Sequence, residues 1–209
     1  MSSKFFTNQG TNTLENRLKD ILSHYSVEYL EFLIGYFRIS GFVKIAPYLA
    51  NIKKAKILVG INVDNIIADA KTKGKMPNLF DADGFKKSFK EEQKEVLAKA
   101  EYSKEVDESV EILLVMLEQN RLELKISKDK NIHSKIYILR EEPKPNHDGT
   151  LDYRGSVITG SSNLSQNGLS GNYEFNVELR DSDEIAFSLG EFESLWAHAV
   201  EITHGEIET

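Results

Sequence analysis

Apolar and polar positions near the start of the chain predict helices and strands in turn. A helix is expected after Asn12, whose side chain can cap it while Glu15 completes a capping box. Its apolar stripe would consist of Leu14, Leu18, Ile21 and Leu22. Aromatic and β-branched residues at 29–39 and 55–61 predict two strands, and 42–50 predicts a short helix between them. Strands separated by a helix predict an α/β sheet that contains parallel pairs.

A charged stretch interrupts this pattern in the middle of the chain. Residues 84–119 are rich in Lys and Glu, lack proline and carry apolar positions at helical spacing. Two helices are therefore expected, over 85–102 and 106–118. Because no linker composition divides the sequence, we interpret residues 1–209 as a single domain with a helical insertion at about 84–120.

The strand pattern resumes after the insertion. Four strands are predicted, at 122–126, 134–139, 156–159 and 174–179. Residues 141–154 contain proline, asparagine and glycine and predict a loop or a long hairpin connection. A closing helix is expected over 181–200, capped by Asp183. The inner face of that helix is expected to comprise Phe187, Phe192, Leu195 and Trp196.

Composition excludes several classes of protein. The chain has no cysteine, which excludes disulfides and zinc–thiolate sites. That absence fits a reducing compartment, and we expect the protein to be cytoplasmic. No apolar run approaches the roughly 20 residues that span a bilayer, so no membrane partner is expected. The N-terminal residues also lack the apolar core of a secretory signal.

The charge distribution bears on the choice of partner. The net charge of −7 argues against a protein that coats nucleic acid without selectivity. Residues 174–209 are strongly acidic, with ten acidic residues and one basic residue. Bases cluster within 121–140, either as a solvated surface or as part of a functional site: Arg121, Lys125, Lys128, Lys130, Lys135 and Arg140.

Three short motifs carry side chains suited to phosphate chemistry. His133 and Lys135 are two residues apart, so both should project from the same face of the predicted strand. An imidazole is a nucleophile, and an ammonium group binds phosphate oxygens. After the next strand, the sequence GSSN supplies the hydroxyl of Ser161 and the amide of Asn163, which can donate to phosphate oxygens. A carboxylate at Glu174 can orient a histidine by accepting a hydrogen bond from its ring.

The order of these motifs resembles the signature of the phospholipase D superfamily. A His-x-Lys pair, a strand, Gly-Ser-x-Asn and a Glu eleven residues after that Asn follow one another here. The resemblance implies a mixed sheet flanked by helices and cleavage of a phosphodiester without a metal or other cofactor. It implies that His133 is the nucleophile or its acid partner and that Glu174 orients a histidine. The phosphate would be held by Lys135, Ser161 and Asn163.

One position departs from the family pattern. The fuller motif has an aspartate five residues after the lysine, and this chain has Arg140 there. The resemblance gives that aspartate a structural role more than a chemical one, so the departure weakens the expectation of activity without removing it. Asp152 lies too far along the loop to be assigned in its place.

A second resemblance involves the N-terminal third of the chain. The sequences KFFTN, LIGYFRISGF and ILVGI resemble the phospholipase D-like module that precedes helicase motors in bacterial genome-maintenance or defence proteins. By that resemblance Tyr36, Arg38 and Ser40 line the cleft, although Tyr36 also fits an ordinary core position. No GxxxxGK[ST] motif occurs, so a motor would lie elsewhere on a full-length protein or on a partner.

Together these features predict a nuclease, acting on DNA more readily than RNA, that forms a phosphohistidine intermediate. It would be the cutting part of a restriction or repair system. The chain supplies a single His-x-Lys motif followed by Gly-Ser-x-Asn. We therefore expect a homodimer in which two copies of His133 meet across a two-fold axis, one as nucleophile and one as general acid.

Two alternatives remain open. The first is a nucleic-acid-binding and dimerisation module with little turnover that positions DNA for an associated helicase. The missing aspartate and the acidic C-terminal segment favour it. The second is a lipid phosphodiesterase, which would need an exposed apolar or basic interfacial surface that no segment of the sequence provides.

Overall fold

A mixed β-sheet organises the chain. The computed structural model describes residues 3–35, 37–60, 104–127 and 132–201, and within them eight strands form one sheet while two more form a small hairpin. The strands are β1 (Phe5–Thr7), β2 (Tyr29–Ile34), β3 (Lys54–Val59), β4 (Leu122–Ile126), β5 (Ile136–Arg140), β6 (Lys144–Pro145), β7 (Leu151–Asp152), β8 (Gly155–Gly160), β9 (Phe175–Leu179) and β10 (Val200–Glu201). The helices are α1 (Leu14–His24), α2 (Ile39–Ile45), α3 (Lys104–Glu118) and α4 (Ser182–Ala197).

The order of strands across the large sheet is β1-β9-β8-β5-β2-β3-β4-β10. Strands β2, β3 and β4 are parallel neighbours, and the other neighbouring pairs are antiparallel. The prediction of an α/β fold with parallel pairs in a mixed sheet is thus confirmed. Strand β2 lies near the centre and is buried at five of its six positions, as expected for a strand covered on both faces.

Alternating side chains place one apolar core on each face of the sheet. On one face, Phe32 and Tyr137 pack with α1, α2 and α3, to which Leu18, Phe42 and Leu113 belong. On the other face α4 packs against the sheet, and its buried residues are Ile185, Phe192 and Trp196. Helices therefore cover both faces, and the ends of the central strands remain available for a site.

Helix α1 begins one residue later than the sequence suggested. Its N-cap is Thr13, whose hydroxyl accepts from the Asn16 backbone N–H at 3.1 Å, so the assignment of Asn12 as cap was wrong. Thr13 is extended and its side chain reaches three residues ahead, which is the geometry an N-cap needs. The predicted apolar stripe is confirmed, with Leu14, Leu18 and Ile21 buried.

The first predicted strand, 29–39, was too long. Strand β2 ends at Ile34, and α2 starts at Ile39 rather than at 42. Between them the chain leaves the sheet and pairs with the loop after β8, where the Arg38 N–H donates to the Leu164 carbonyl at 3.1 Å. Pro47 falls in a short 3₁₀ turn, Ala46–Tyr48, that follows α2.

The closing helix has a different cap and a different inner face from those predicted. Asp181 caps α4 and forms a capping box with Glu184, so Asp183 is not the cap. Phe187 is 71% exposed. It follows the buried Ile185 by two residues, which places it about 200° around the helix. Phe192 and Trp196 are buried and Leu195 is partly buried, as expected.

The other central strands agree with the sequence apart from their ends, but the short edge strands β1 and β10 were not predicted. Helix α3 corresponds to the predicted helix at 106–118, whereas the predicted helix at 85–102 lies outside the described residues. The predicted loop at 141–154 contains the β6–β7 hairpin. Strand β5 begins at Ile136, so His133 and Lys135 precede it and do not project from a strand face as predicted.

Candidate active site

The candidate site lies at the ends of four inner strands of the sheet, where four chain segments meet. Strand β2 runs antiparallel to β5, with Leu33 paired to Ile136, and Ile136 pairs in turn with Thr159 of β8. Gly160 pairs with Asn176 of β9. Four strand ends therefore lie side by side: the end of β2, the start of β5, the end of β8 and the start of β9. Each adjoins a predicted site residue or motif.

His133 and Lys135 lie in direct contact. The Lys135 ammonium nitrogen is 3.0 Å from each ring nitrogen of His133 and donates to the His133 carbonyl at 2.6 Å. The Thr159 hydroxyl donates to the Lys135 carbonyl at 2.9 Å, which ties this segment to β8. The imidazole is exposed, whereas Lys135 is only 5% exposed. The pair thus combines an accessible nucleophile with a fixed positive charge.

Burial lowers the pKa of Lys135, and the negative charge of Glu174 partly opposes that shift. A lowered pKa means that the folded protein holds this ammonium group at a cost. Buried charges usually have a functional or structural reason, and perturbed groups in a cleft mark candidate sites. The ammonium group contacts the exposed imidazole, so an anion bound beside that imidazole could also form an ion pair with Lys135.

Asn163 joins the pair across Gly35, the residue that follows β2. A β-carbon built on Gly35 would lie 3.3 Å from Asn163 Oδ1, 3.4 Å from His133 Cδ2 and 3.6 Å from Lys135 Nζ. Three predicted site residues from two separate segments therefore converge on one small volume. The sequence prediction did not single out Gly35, although a glycine inside the predicted strand 29–39 was a signal that could have suggested a close approach.

The loop that carries Asn163 is held from several sides. The Tyr137 hydroxyl donates to the Ser162 carbonyl at 2.9 Å, and the buried Asn176 amide donates to the Ser162 hydroxyl at 3.0 Å. Gly168 lies so close that a β-carbon there would meet the Asn163 carbonyl and would come within 2.8 Å of its backbone nitrogen. These contacts fix the main chain that carries Asn163.

Ser161 and Glu174 form a second pair beside the first. The Ser161 hydroxyl donates to a Glu174 carboxylate oxygen and accepts from the Phe175 N–H at 3.1 Å. The Ser161 N–H donates to the Phe175 carbonyl, also at 3.1 Å. Glu174 acts on Lys135 through its charge, whereas its predicted hydrogen bond to a histidine stays a prediction.

Arg140 is far from this cluster. It ends β5, roughly 16 Å beyond Lys135 at about 3.3 Å per residue. Its guanidinium forms an ion pair with the buried Glu31, with Nη2 2.7 Å from Oε1, and lies over the Tyr29 ring at 4.5 Å. The position where the family pattern has an aspartate is therefore a structural one in this chain, and its charge is balanced by Glu31.

The described bases of the predicted cluster at 121–140 do not form one surface. Arg121 donates to the carbonyls of Leu49, Ala50 and Ile52. Lys125 lies over the Trp196 ring at 4.7 Å. With Arg140 paired to Glu31, these bases stabilise the fold at separate places. Lys128 and Lys130 lie outside the described residues.

The segment after β2 flanks the Asn163 loop, and the lining of a cleft by Tyr36, Arg38 and Ser40 stays a prediction. Arg38 is exposed, and the Ser40 hydroxyl accepts from the Gln166 N–H at 3.4 Å. Tyr36, the third residue of that prediction, lies outside the described residues. Asn8 was missed: its buried side chain donates to the Gly168 carbonyl at 2.8 Å and accepts from the Leu14 N–H. Asn8 thus ties the N-terminus to this loop.

Within the described residues, no group of three or more His, Asp or Glu side chains is arranged to hold a metal ion. Nor does any helix in that part of the chain combine the length and apolar character needed to cross a membrane.

A mixed sheet flanked by helices, with a His–Lys–Asn cluster at the ends of its central strands, places the chain in the α/β class, and sequence comparison identifies the family. The family profile described as "Cardiolipin synthase, PLD-like domain" matches residues 46–196. Because the match covers well over half of the sequence, the chain belongs to the family of phospholipase D-like domains. No curated protein sequence matches the chain.

Solved structures share this fold at low sequence identity. Nuc from Salmonella typhimurium, a phospholipase D family member, gives a TM-score of 0.51 at 12% identity, over 94% of this chain and 95% of that one. Phosphatidylserine synthase from Haemophilus influenzae gives 0.51 at 17% identity, over 98% of this chain and 40% of that one. Polyphosphate kinase from Porphyromonas gingivalis gives 0.51 at 9% identity, over 98% of this chain and 26% of that one. At these identities the likeness concerns the fold.

Proposed function

We propose that this chain is a metal-independent phosphodiesterase, most simply a nuclease that cuts DNA. The observation that supports the proposal is the convergence of His133, Lys135 and Asn163 on the volume beside Gly35. A nucleophile, a buried cation and an amide around one point are the groups that attack on a phosphodiester requires. Ser161 lies on the same loop as Asn163 and provides a further hydroxyl.

In the proposed reaction a ring nitrogen of His133 attacks phosphorus and the bond to the leaving oxygen breaks. The leaving oxygen takes a proton from a second histidine, which acts as general acid. Water then attacks the phosphohistidine while the second histidine, now neutral, takes a proton from that water; the P–N bond breaks, and both histidines are restored. Lys135 and Asn163 hold the non-bridging oxygens, where negative charge develops as the bond to the nucleophile forms.

The second histidine is proposed to be His133 of another copy of the chain. Among the histidines that the structure describes, His24 and His198 lie at helix ends, where each contacts a carbonyl one turn earlier. His147 lies in the exposed β6–β7 turn. In a homodimer a two-fold axis would bring two identical clusters together, so that each active site uses both copies.

Cleavage assays in EDTA test this proposal directly. We expect the purified protein to cut single- or double-stranded DNA without a divalent metal, and His133→Ala to abolish cutting. Binding without cleavage, at an affinity that His133→Ala leaves unchanged, would instead support the alternative of a nucleic-acid-binding module. Lipid hydrolysis with no action on DNA would support a lipid phosphodiesterase.

The presence of Arg140 does not favour the binding module over the nuclease. The missing aspartate had favoured a module with little turnover, but Arg140 and Glu31 form a self-contained ion pair away from the cluster. The dimer has its own test, since a monomer in sedimentation experiments at assay concentrations would refute the shared site. Association with a helicase motor remains a proposal from resemblance, which co-purification of the full-length protein with an ATPase tests.

A further inference from the structure

We propose that Gly35 forms the floor of the phosphate subsite and that the site requires a hydrogen atom, rather than a side chain, at this position. The inference rests on the proposed function in one respect, namely that the ligand is a phosphate ester. It assigns to Gly35 a role in determining what the site can bind. Gly35 itself takes no part in the chemistry.

The geometry leads to this role. The β-carbon position of Gly35 is within 3.3 to 3.6 Å of an oxygen, a ring carbon and an ammonium nitrogen that belong to Asn163, His133 and Lys135. A phosphate oxygen bound by Lys135 would lie about 2.7–2.9 Å from the ammonium nitrogen. If that phosphate oxygen lies on the side of Lys135 that faces His133 and Asn163, it would overlap a methyl group attached to the α-carbon of residue 35.

Neither backbone conformation nor a close main-chain contact requires glycine here. Gly35 has no positive φ of the kind that disfavours other residues. Its nearest neighbours are the ends of side chains: Asn163 Oδ1, at 3.3 Å, would have to shift by a few tenths of an ångström, and the other two atoms lie at 3.4 and 3.6 Å. By contrast, a β-carbon on Gly41 would lie 2.5 Å from the Leu164 backbone, so that glycine is needed for packing. A glycine that the fold could replace, placed among three functional groups, points to the ligand.

Gly35→Ala tests the inference, and Gly190→Ala is its matched control. Gly190 lies within α4 and has nothing within 4 Å of its β-carbon position. Inorganic phosphate is the probe, followed by NMR of the His133 ring. Loss of one charge-assisted hydrogen bond weakens binding by about 10- to 100-fold. We expect a loss of that size in Gly35→Ala and none in Gly190→Ala.

Thermal unfolding measured beside the titration makes each outcome decisive. The inference predicts that the melting temperature of Gly35→Ala stays within about 2 °C of the wild type, which corresponds to less than ~1 kcal/mol for a chain of this size. A larger fall would show that packing requires the glycine, and would overturn the inference. Phosphate binding within two-fold of the wild type, or wild-type protein that binds no phosphate, would overturn it as well.

The inference and the proposed nuclease fail in different ways. Wild-type protein that binds phosphate but cuts no nucleic acid would leave the role of Gly35 intact and would refute the nuclease. Cleavage that persists unchanged in Gly35→Ala would refute the role of Gly35 and would leave the nuclease standing.

Discussion

Replacement of Arg140 should damage stability and leave the chemistry alone. Arg140→Met removes the cation and keeps most of the side-chain length, so Glu31 loses the guanidinium that contacts both its oxygens at 2.7–3.2 Å. Glu31 is 2% exposed, so water cannot replace the lost partner. The variant therefore leaves a carboxylate unpaired inside the sheet.

The expected cost follows from the burial of both partners. Removal of one member of a buried ion pair destabilises proteins by about 3–5 kcal/mol, and the lost contact with the Tyr29 ring adds about 0.5–1 kcal/mol. For a domain of this size these values correspond to a fall in melting temperature of roughly 7–24 °C. Glu31→Gln in the same chain should recover much of the loss, because a neutral amide is cheaper to bury.

The pH dependence gives an independent check. Burial raises the pKa of Glu31, and Arg140 opposes that shift, so the pKa should rise further in Arg140→Met. A carboxyl group with a raised pKa holds its proton more strongly in the folded state, and its contribution to stability is lost as the pH rises through that pKa. The deficit of Arg140→Met relative to wild type should therefore be largest near neutral pH and shrink towards pH 4. Urea unfolding at several pH values measures it.

The aspartate of the family pattern offers the sharpest test. Arg140→Asp places a second carboxylate beside Glu31 and should destabilise the fold more than Arg140→Met does. Glu31→Arg in that background should recover part of the loss, since it restores an opposite charge. A loss of unfolding free energy below ~1 kcal/mol in Arg140→Met would refute this reasoning. So would a fall in cleavage per folded molecule in the Arg140 variants as large as the fall in His133→Ala.

The structure also predicts the outcome of other changes. Lys135→Met should reduce cleavage by about 100-fold or more. Its free energy of unfolding should equal or exceed that of the wild type. Any excess should shrink as the pH rises through the lowered pKa of Lys135, because the wild type then no longer buries a charge, and urea unfolding measures it. Ser161→Ala should weaken phosphate binding by about 10-fold in the same NMR titration, because Glu174 is then released beside Lys135. Thr13→Ala should cost about 1 kcal/mol in urea unfolding and Asn12→Ala close to nothing, since Thr13 is the cap.

The sequence predicted the sheet well because its strands have strong local signals. Strand β4 was predicted with its observed ends, and the central strands were recognised from runs of apolar and β-branched residues. The ends of elements were less accurate because tertiary contacts decide them. The sequence after Ile34 continues with aromatic and β-branched residues, yet the chain at Phe37 leaves the sheet to pair with the loop at Leu164. No local pattern contains that contact.

The site shows the same division between local and distant information. The order of His133, Lys135, Ser161, Asn163 and Glu174 identified the family, but the sequence did not reveal their contacts. The structure brings the first two together with Asn163 and pairs Ser161 with Glu174. The partners of the other bases were also invisible in the sequence, since Ile52 lies 69 positions from Arg121 and Glu31 lies 109 positions from Arg140.

Glycines explain how these segments come close enough to form a site. A β-carbon on Gly60 would meet Ile132, the residue before His133, and one on Gly168 would meet the backbone of Asn163. These two residues let the main chain approach the segments that carry the nucleophile and the amide. Gly35 occupies the space between those side chains instead, where no backbone contact demands it. Two of the three glycines therefore hold the site in place, and the third leaves room for what it binds.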